Sequence, residues 1–191
     1  MRDFTLIFGC MFAGKTTHLI GFYNESPLDI NEKLVVKPLI DNRYSEGKVS
    51  SHTGLQMTGH RISKAEEIFP LLTPHVKELY IDEVQFLGTY IIEVIGEAMM
   101  NGIKVIAAGL DKDYMNRDFG PMRALKNLAT EKVELSAKCH VCQKSAFYTY
   151  RTSLTNELVV VGHNNAYEAR CKEHWEQGML ETQRITQEEL N

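Results

Sequence analysis

The chain has 191 residues, of which 43% are hydrophobic, so it is long enough for one domain with a small appendage and a single covered core. Its formal net charge is −4, its sequence pI is near 6.0, and it has no long Lys/Arg run, which argues against a nucleic-acid-binding surface. No segment approaches the roughly 20 consecutive apolar residues of a membrane span, and Met1 to Asp3 lead directly into the first predicted strand, so we expect a cytoplasmic protein.

The first predicted strand, residues 5–8, ends in a glycine-rich loop, and residues 17–24 beyond it are compatible with a helix. The loop has the phosphate-binding pattern G-x-x-x-x-G-K-T. Its residues are Gly9, Cys10, Met11, Phe12, Ala13, Gly14, Lys15 and Thr16. Such a loop turns its backbone N–H groups and the helix N-terminus towards a polyphosphate, while Lys15 adds positive charge and Thr16 a hydroxyl ligand for Mg²⁺. The alternative is a glycine-rich turn that binds no ligand.

A second strand is predicted for residues 33–37 and ends at Pro38, which cannot donate a backbone hydrogen bond. Residues 41–54 follow without an apolar period, as in a long exposed loop. Its Arg43, Lys48 and His52 could face phosphates, although solvated surface charge is the commoner role of such residues.

A crossover helix is predicted next, because Ser63 and Glu66 form an S-x-x-E capping pattern. Its apolar residues would be Ile68, Phe69, Leu71 and Leu72, ahead of Pro74. The helix leads to an apolar strand at residues 78–81.

Two acids, Asp82 and Glu83, come directly after that strand. In a parallel sheet the carboxyl ends of the strands form the functional edge. Asp82 is therefore placed to act on Mg²⁺, and Glu83, on the outgoing loop, to reach a substrate hydroxyl. An isolated Asp-Glu pair is usually surface charge, but its position after a hydrophobic strand in a chain with a phosphate loop favours a functional role.

A core-facing helix is predicted for residues 90–100, ending at Asn101 and Gly102, and a buried strand for residues 104–109. Strands alternating with helices indicate an α/β domain with a parallel sheet flanked by helices. Residues 110–121 are irregular and lie at the same edge. Tyr114 and Phe119 in this segment are either core residues or the sides of a slot for a flat base.

Two pairs of metal-ligand residues flank a β-rich segment near the C-terminus. Cys139 and Cys142 form C-x-x-C, and Cys171 and His174 form C-x-x-H. The segment between them predicts two hairpin arms, residues 147–151 and 158–161, and the whole indicates a zinc ribbon. Three thiolates and one imidazole close a tetrahedral site, so the zinc would be structural. Redox or unrelated cysteines are the alternative; His140 and His163 are expected to be bystanders.

Together these motifs resemble the zinc-containing thymidine kinases over residues 5–174. The resemblance rests on residues 9–16, 82–86, 109–120 and 162–174. It implies a P-loop NTPase domain of the RecA-like type at residues 1–135, and a zinc-binding lobe with a substrate lasso and a C-terminal tail at residues 136–191. It also implies transfer of the γ-phosphate of ATP to the 5′-hydroxyl of thymidine in nucleotide salvage, by a homotetramer.

The resemblance also implies roles for individual residues. Glu83 would be the general base, and Thr16 and Asp82 would bind Mg²⁺. Besides the loop from Gly9 to Thr16, the implied ATP-binding residues are Asp82, Gln85 and Arg43. The implied nucleoside-binding residues are Met11, Phe86, Leu110, Tyr114, Phe119, Arg151 and Tyr167, with Val159, Val160 and Val161 at the base edge. Arg43 and Arg151 also align with basic residues that face the phosphates.

Residues 152–165 would form the lasso and read thymine through backbone groups. Such groups can match the N3–H and O4 of thymine, whereas cytosine presents the opposite pattern and would leave buried polar groups unpaired. Three residues depart from the family pattern: His163 replaces a glycine, Asn165 an acid, and Leu87 an aromatic. A non-glycine residue forced to positive φ costs roughly 1–2 kcal/mol, so lasso closure is the property most affected.

Two other functions remain open from the sequence. One is a zinc-ribbon ATPase that moves along nucleic acid, which would require a basic track studded with aromatic residues. The other is a broader deoxynucleoside or nucleotide kinase, and acceptance of deoxyuridine is also open. If backbone groups recognise the base, few side chains in the sequence distinguish this broader kinase from a kinase specific for thymidine. The composition of the polar tail, residues 175–191, predicts at most a short helix. We assign the tail no function.

Overall fold

The computed structural model describes residues 3–39, 48–50, 56–152 and 166–189, with the backbone alone at residues 48–50, 56–58, 185, 186, 188 and 189. Its strands are β1 Phe4–Gly9, β2 Lys33–Pro38, β3 Lys48–Ser50, β4 Gln56–Thr58, β5 His60–Ile62, β6 Glu78–Ile81, β7 Lys104–Gly109, β8 Glu131–Leu135, β9 Ala137–Lys138, β10 Ser145–Ala146, β11 Tyr148–Arg151 and β12 Tyr167–Arg170. Its α-helices are α1 Lys15–Glu25, α2 Ile91–Met100, α3 Met122–Leu128 and α4 Lys172–Glu189. Short 3₁₀ segments occur at Ile30–Glu32, Ala65–Leu71 and Val84–Phe86.

Six strands form one sheet in the order β5-β2-β6-β7-β1-β8, and every neighbouring pair is parallel. The loops that leave β1, β6 and β7 therefore all open at one edge of the sheet. β7 lies between β1 and β6, so the phosphate loop and the acids after β6 are separated by one strand. The predicted parallel α/β sheet is confirmed.

Helices cover both faces of this sheet. On one face, Leu19 and Ile20 of α1 pack against sheet residues. These sheet residues are Ile7, Val35, Tyr80, Ile106 and Ala108. On the other face, α2 and α3 pack against the alternate residues of the same strands. Burial on both faces explains why the strands read as continuous apolar runs in the sequence.

Helix α2 confirms the prediction for residues 90–100. Its apolar face is fully buried, and the helix stops where predicted: Asn101 caps it and Gly102 turns the chain at φ +77°. Positive φ at this position is what glycine permits without strain.

The predicted helix after Ser63 is wrong in its type and its cap. The segment Ala65–Leu71 is a 3₁₀ turn, because Pro70 lies inside it and cannot supply an α-helical N–H. The backbone N–H of Ser63 donates to Glu67 at 3.4 Å, rather than pairing with Glu66. The buried role expected for Ile68 is confirmed, since this residue is fully buried in the main core.

The predicted loop at residues 41–54 contains a short strand. β3 pairs in antiparallel register with β4, Val49 opposite Met57. No apolar alternation marks this strand in the sequence, because a two-stranded ribbon can be held by backbone hydrogen bonds alone. Arg43 and His52 lie outside the described residues, as does the side chain of Lys48.

The C-terminal region forms two small antiparallel ribbons, β9 with β10 and β11 with β12, followed by α4. The first predicted hairpin arm is confirmed as β11, but it pairs with β12, a strand that the sequence did not predict. The second predicted arm, residues 158–161, lies outside the described residues. The boundary at residues 135 and 136 stays a prediction.

The tail is more ordered than expected, since α4 spans Lys172–Glu189. It packs on β11: the Tyr148 and Trp175 rings stack at 5.2 Å, and the Tyr150 hydroxyl donates to the Gly178 carbonyl at 3.3 Å. Among the helices that the structure describes, none combines the length and the apolar character needed to cross a membrane.

Candidate active site

The phosphate loop turns between β1 and α1 at two glycines. Gly14 has φ +81° immediately before α1 begins. Gly9 has φ +145°, and a Cβ at this position would lie 2.1 Å from the carbonyl oxygen of Leu135. Only glycine satisfies both the backbone angle and the close approach at position 9. The loop is thus held at the edge of the sheet where the acids also emerge.

In the loops after β1 and β6, Phe12 at φ +65° and Glu83 at φ +51° have left-handed backbones; Asn116, after β7, does too, but asparagine adopts this conformation more readily. Such a conformation costs on the order of 1–3 kcal/mol and persists only where the surrounding structure fixes it. Residues of this kind cluster at active sites, so the strain is an independent indication that this edge is functional.

Lys15 points back over the loop. Its Nζ donates to the carbonyl oxygen of Cys10 at 2.7 Å. Burial lowers the pKa of Lys15, and the negative charges of Glu83, Asp82 and Asp111 oppose that change. These carboxylates are therefore close enough to Lys15 to influence its charge. Burial likewise raises the pKa of the Cys10 thiol, which Lys15 partly offsets.

Thr16 and Asp82 meet across the edge of the sheet. The hydroxyl of Thr16 donates to the carboxylate of Asp82, whose two oxygens lie 3.2 and 3.3 Å away. Asp82 is only 5% exposed. A hydroxyl and a carboxylate beside a phosphate site are the oxygen ligands that Mg²⁺ takes, so these residues fit that ion.

Glu83 is held by Gln85. The Gln85 side-chain amide donates to a Glu83 carboxylate oxygen at 2.6 Å, and its carbonyl oxygen accepts the backbone N–H of Leu110 at 3.1 Å. Gln85 is 3% exposed, and a Cβ on Gly109 would lie 2.6 Å from its Oε1. The buried amide therefore links the predicted base to the irregular segment after β7.

The predicted nucleoside-binding residues come together in pairs. The Phe86 and Phe119 rings meet edge to face at 5.4 Å. The guanidinium of Arg151 lies 3.8 Å from the centre of the Tyr114 ring, and Arg151 pairs in register with Tyr167. Leu87, one of the three departures, lies in the main core, where an aliphatic side chain packs well.

The four predicted metal ligands form one group. The ligand atoms of Cys139, Cys142, Cys171 and His174 all lie within 4.8 Å of one another, and the cysteines form no disulfide. Metal–sulfur bonds of about 2.3 Å in a tetrahedral site place two sulfurs about 3.8 Å apart. The Cys142 and Cys171 sulfurs are 3.8 Å apart. The group can therefore hold a structural metal ion.

The surroundings of Cys139 favour the thiolate form that binds a metal ion. Burial alone would raise its pKa, but backbone N–H groups of Cys142, Cys171 and Val141 outweigh burial and lower the pKa to about 6. Metals bind the thiolate, so this environment favours the ligand form at neutral pH.

Several predicted site residues lie outside the described residues. They are Arg43, Val159, Val160 and Val161, together with His163, Asn165 and nearly all of the lasso.

The structure also brings in residues that the sequence analysis did not single out. The hydroxyl of Thr149 accepts the backbone N–H of Met11 at 3.1 Å, and Lys126 pairs with Asp111 at 2.5 Å and lies over the Phe8 ring. Asp111 lies within residues 109–120, which carry part of the family resemblance, but the sequence analysis assigned it no role. No motif in the sequence indicated a role for Thr149, because its partner Met11 lies 138 residues away in the chain.

Comparison with known proteins identifies a family model and similar individual proteins. A family model described as thymidine kinase matches residues 2–175. A protein of Bdellovibrio bacteriovorus named thymidine kinase is 38% identical over 170 residues, which cover 89% of this chain and 83% of that protein.

Proposed function

Since this chain belongs to the thymidine kinase family, we propose that it transfers the γ-phosphate of ATP to the 5′-hydroxyl of thymidine, with dTMP and ADP as products. One observation carries the assignment of this reaction to the edge of the sheet. Thr16 of the phosphate loop donates to Asp82 at the end of β6 at 3.2 Å, and Glu83 is the next residue in the chain. An acceptor hydroxyl near Glu83 would then lie beside the phosphates that Lys15 binds.

The phosphate loop would bind the triphosphate of ATP. Its backbone N–H groups and the N-terminus of α1 favour negative charge, and Lys15 adds a cation near the terminal phosphates. Thr16 and Asp82 would hold Mg²⁺, which when bound neutralises charge on the phosphate oxygens. The Lys15 ammonium would exchange its bond to the Cys10 carbonyl for one to the nucleotide.

Glu83 would accept the proton of the 5′-hydroxyl as that oxygen attacks phosphorus. Phosphoryl transfer depends mostly on positioning, so the orientation of this carboxylate matters as much as its basicity. We propose that Gln85 supplies the orientation through its amide, rather than contacting ATP as the family resemblance implied. The same amide holds the Leu110 backbone, so it would align the base and the nucleoside together.

Replacement of Gln85 by methionine tests this role. The Gln85→Met variant keeps the side-chain volume but removes the hydrogen bonds that the Gln85 amide makes to Glu83 and to the Leu110 N–H. We expect kcat to fall about 10- to 100-fold, because small errors in the position of reacting groups have effects of this size. The KM for ATP should stay within twofold.

The matched control is Gln177→Met, the same change at an exposed residue of α4. It should leave both constants unchanged. A Gln85→Met enzyme with a raised KM for ATP and normal kcat would instead support the ATP-binding role.

The nucleoside would lie between the Phe86–Phe119 pair and the Arg151–Tyr114 pair. Aromatic side chains at this position suit a flat base. Preference for thymine over cytosine would depend on backbone groups of residues 159–161, with deoxyuridine as a second substrate.

A substrate panel tests the base preference. We expect phosphorylation of thymidine and deoxyuridine with MgATP, and a kcat/KM at least about 10⁴-fold lower for deoxycytidine, as for sites that leave buried polar groups unpaired. Radiolabelled phosphate transfer measures each product. Equal use of deoxycytidine would contradict base reading by the lasso, while hydrolysis stimulated by single-stranded DNA without a nucleoside product would favour the nucleic-acid motor.

Three further properties are proposals from the family. The Cys₃His group would hold zinc, whose full set of ligands leaves no position for substrate. Its reduced thiols suit a cytoplasmic protein. The assembly would be a homotetramer, which sedimentation equilibrium tests against the 21.8 kDa mass of one chain.

A further inference from the structure

The phosphate loop and the metal-binding lobe share one small hydrophobic cluster. Its buried residues are Cys10, Cys139, Ala146 and Ala169, with Phe12, Ala13, Ala137, Cys142 and Cys171 packed against them. Three of these residues belong to the loop and three are metal ligands. This cluster is distinct from the two that cover the faces of the main sheet. The loop is therefore supported by its own strand and helix on one side and by the lobe on the other.

The sheet itself places the lobe beside the loop. β1 and β8 are parallel neighbours, and Gly9 is the register partner of Leu135. The next residues of both strands, Cys10 and Ser136, thus leave the sheet side by side. β9 begins at Ala137 and leads directly to Cys139, the first metal ligand.

Two hydrogen bonds join the lobe to the loop. The buried thiol of Cys10 donates to the carbonyl oxygen of Ala146 at 3.2 Å, and the backbone N–H of Met11 donates to the hydroxyl of Thr149 at 3.1 Å. Ala146 is paired with Ala137 in the ribbon that carries the first metal knuckle. The first knuckle therefore positions Ala146, whereas Thr149 is paired with Ala169 in the β11–β12 ribbon, whose strand β12 leads to Cys171 of the second knuckle.

A ring contact supports the strained residue of the loop. Phe12, at φ +65°, packs against the ring of His140 with the centroids 5.3 Å apart. His140 lies between two metal ligands in the chain, and its backbone N–H donates to Ala169 at 2.9 Å. A left-handed phenylalanine needs surroundings that fix it, and part of those surroundings is the knuckle.

We propose that the metal-binding lobe holds the phosphate loop in its ATP-binding conformation, with Cys10, Phe12 and His140 as positioning residues. Metal bound by the Cys₃His group fixes the knuckle, the knuckle fixes the loop, and metal occupancy thereby raises ATP affinity. The inference rests on the proposed function, because that function assigns ATP to this loop. It gives the metal a role in nucleotide binding beyond the stability of the lobe.

The first experiment measures binding of a non-hydrolysable ATP analogue with Mg²⁺ by calorimetry, on full-length protein whose metal content is determined by mass spectrometry. Cys10→Ala removes the thiol from the loop side, and His140→Ala removes the ring from the lobe side. We expect each to raise the Kd about three- to tenfold with the metal still bound, the range expected for loss of one hydrogen bond or packing contact.

Two control variants accompany them. Cys10→Ser retains a hydrogen-bond donor and should bind the analogue more tightly than Cys10→Ala does, as a conservative rescue of the bond to Ala146. Val141→Ala changes an exposed residue of the same knuckle and should have no effect.

The second experiment tests the coupling to the metal. Cys142→Ser, prepared without metal, should raise the Kd for the analogue at least as much as Cys10→Ala. Combining the two changes should raise it by less than the product of the single effects, because both act through the same contact.

The outcomes separate this inference from the proposed function. A wild-type protein that does not bind the analogue contradicts both. If the wild type binds it, and metal-bound Cys10→Ala and His140→Ala bind it equally well, the positioning role is wrong while the kinase assignment stands. This second outcome does not depend on whether Cys142→Ser folds.

Discussion

Replacing Glu83 by glutamine should lower kcat by roughly 10²–10⁴, the usual range for loss of a general base. Glutamine has nearly the same shape, so the left-handed backbone at φ +51° and the adjacent 3₁₀ turn should persist. The amide cannot accept the 5′-hydroxyl proton, and it offers Gln85 a neutral partner in place of a carboxylate. Binding of ATP and thymidine should change little, because the substitution acts on the proton-transfer step. Rapid-quench measurement of dTMP formation separates the chemical step from binding.

The matched control is Glu97→Gln, the same change at an exposed residue of α2. It should leave kcat unchanged and match Glu83→Gln in thermal unfolding. A Glu83→Gln enzyme that keeps near-normal turnover would show that another group accepts the proton.

Replacing Cys142 by serine should release the structural metal and destabilise the lobe. Metal binding in small zinc modules is worth on the order of 10–16 kcal/mol, and β9 to β12 bury little apolar surface of their own. The loss of several kcal/mol should lower the melting temperature by about 10 °C or more, at the 2–4 °C per kcal/mol typical of a chain of this length. Mass spectrometry of metal content and calorimetric unfolding give the two readouts.

The matched control is Cys10→Ser, the same substitution at a cysteine that lies outside the Cys₃His group. It should retain one metal ion per chain. If Cys142→Ser also retained its metal and its melting temperature, the four residues would not form the metal site.

The parts of the fold that the sequence predicted are those encoded locally. The phosphate loop needs only a strand, two glycines, a lysine and a helix in succession, and all of these lie within residues 4–25. The bounds of helix α2 were predicted to within one residue, because the apolar period ends at the same point where Asn101 and Gly102 indicate a helix C-terminus. Asp82 and Glu83 were placed at the functional edge by the general geometry of parallel sheets.

The parts that the sequence did not predict depend on contacts between distant segments or on a single overriding residue. Pro70 converts an apparent helix into a 3₁₀ turn, whatever the apolar pattern around it. β12 pairs with β11 although residues 152–166 separate the two strands in the chain, so the sequence of neither strand identifies its partner. The roles of Gln85 and Thr149 likewise depend on hydrogen bonds that only the assembled sheet brings together.

The left-handed backbone of Glu83 has a consequence for how this enzyme can evolve. Glycine would adopt φ +51° without strain, so selection for thermal stability alone would favour its replacement. On the proposed role of Glu83 as the general base, selection for turnover retains the glutamate, and the rest of the fold supplies the roughly 1–3 kcal/mol that its backbone conformation costs. Stability and activity therefore oppose each other at this position, and stabilised variants should be sought elsewhere in the chain.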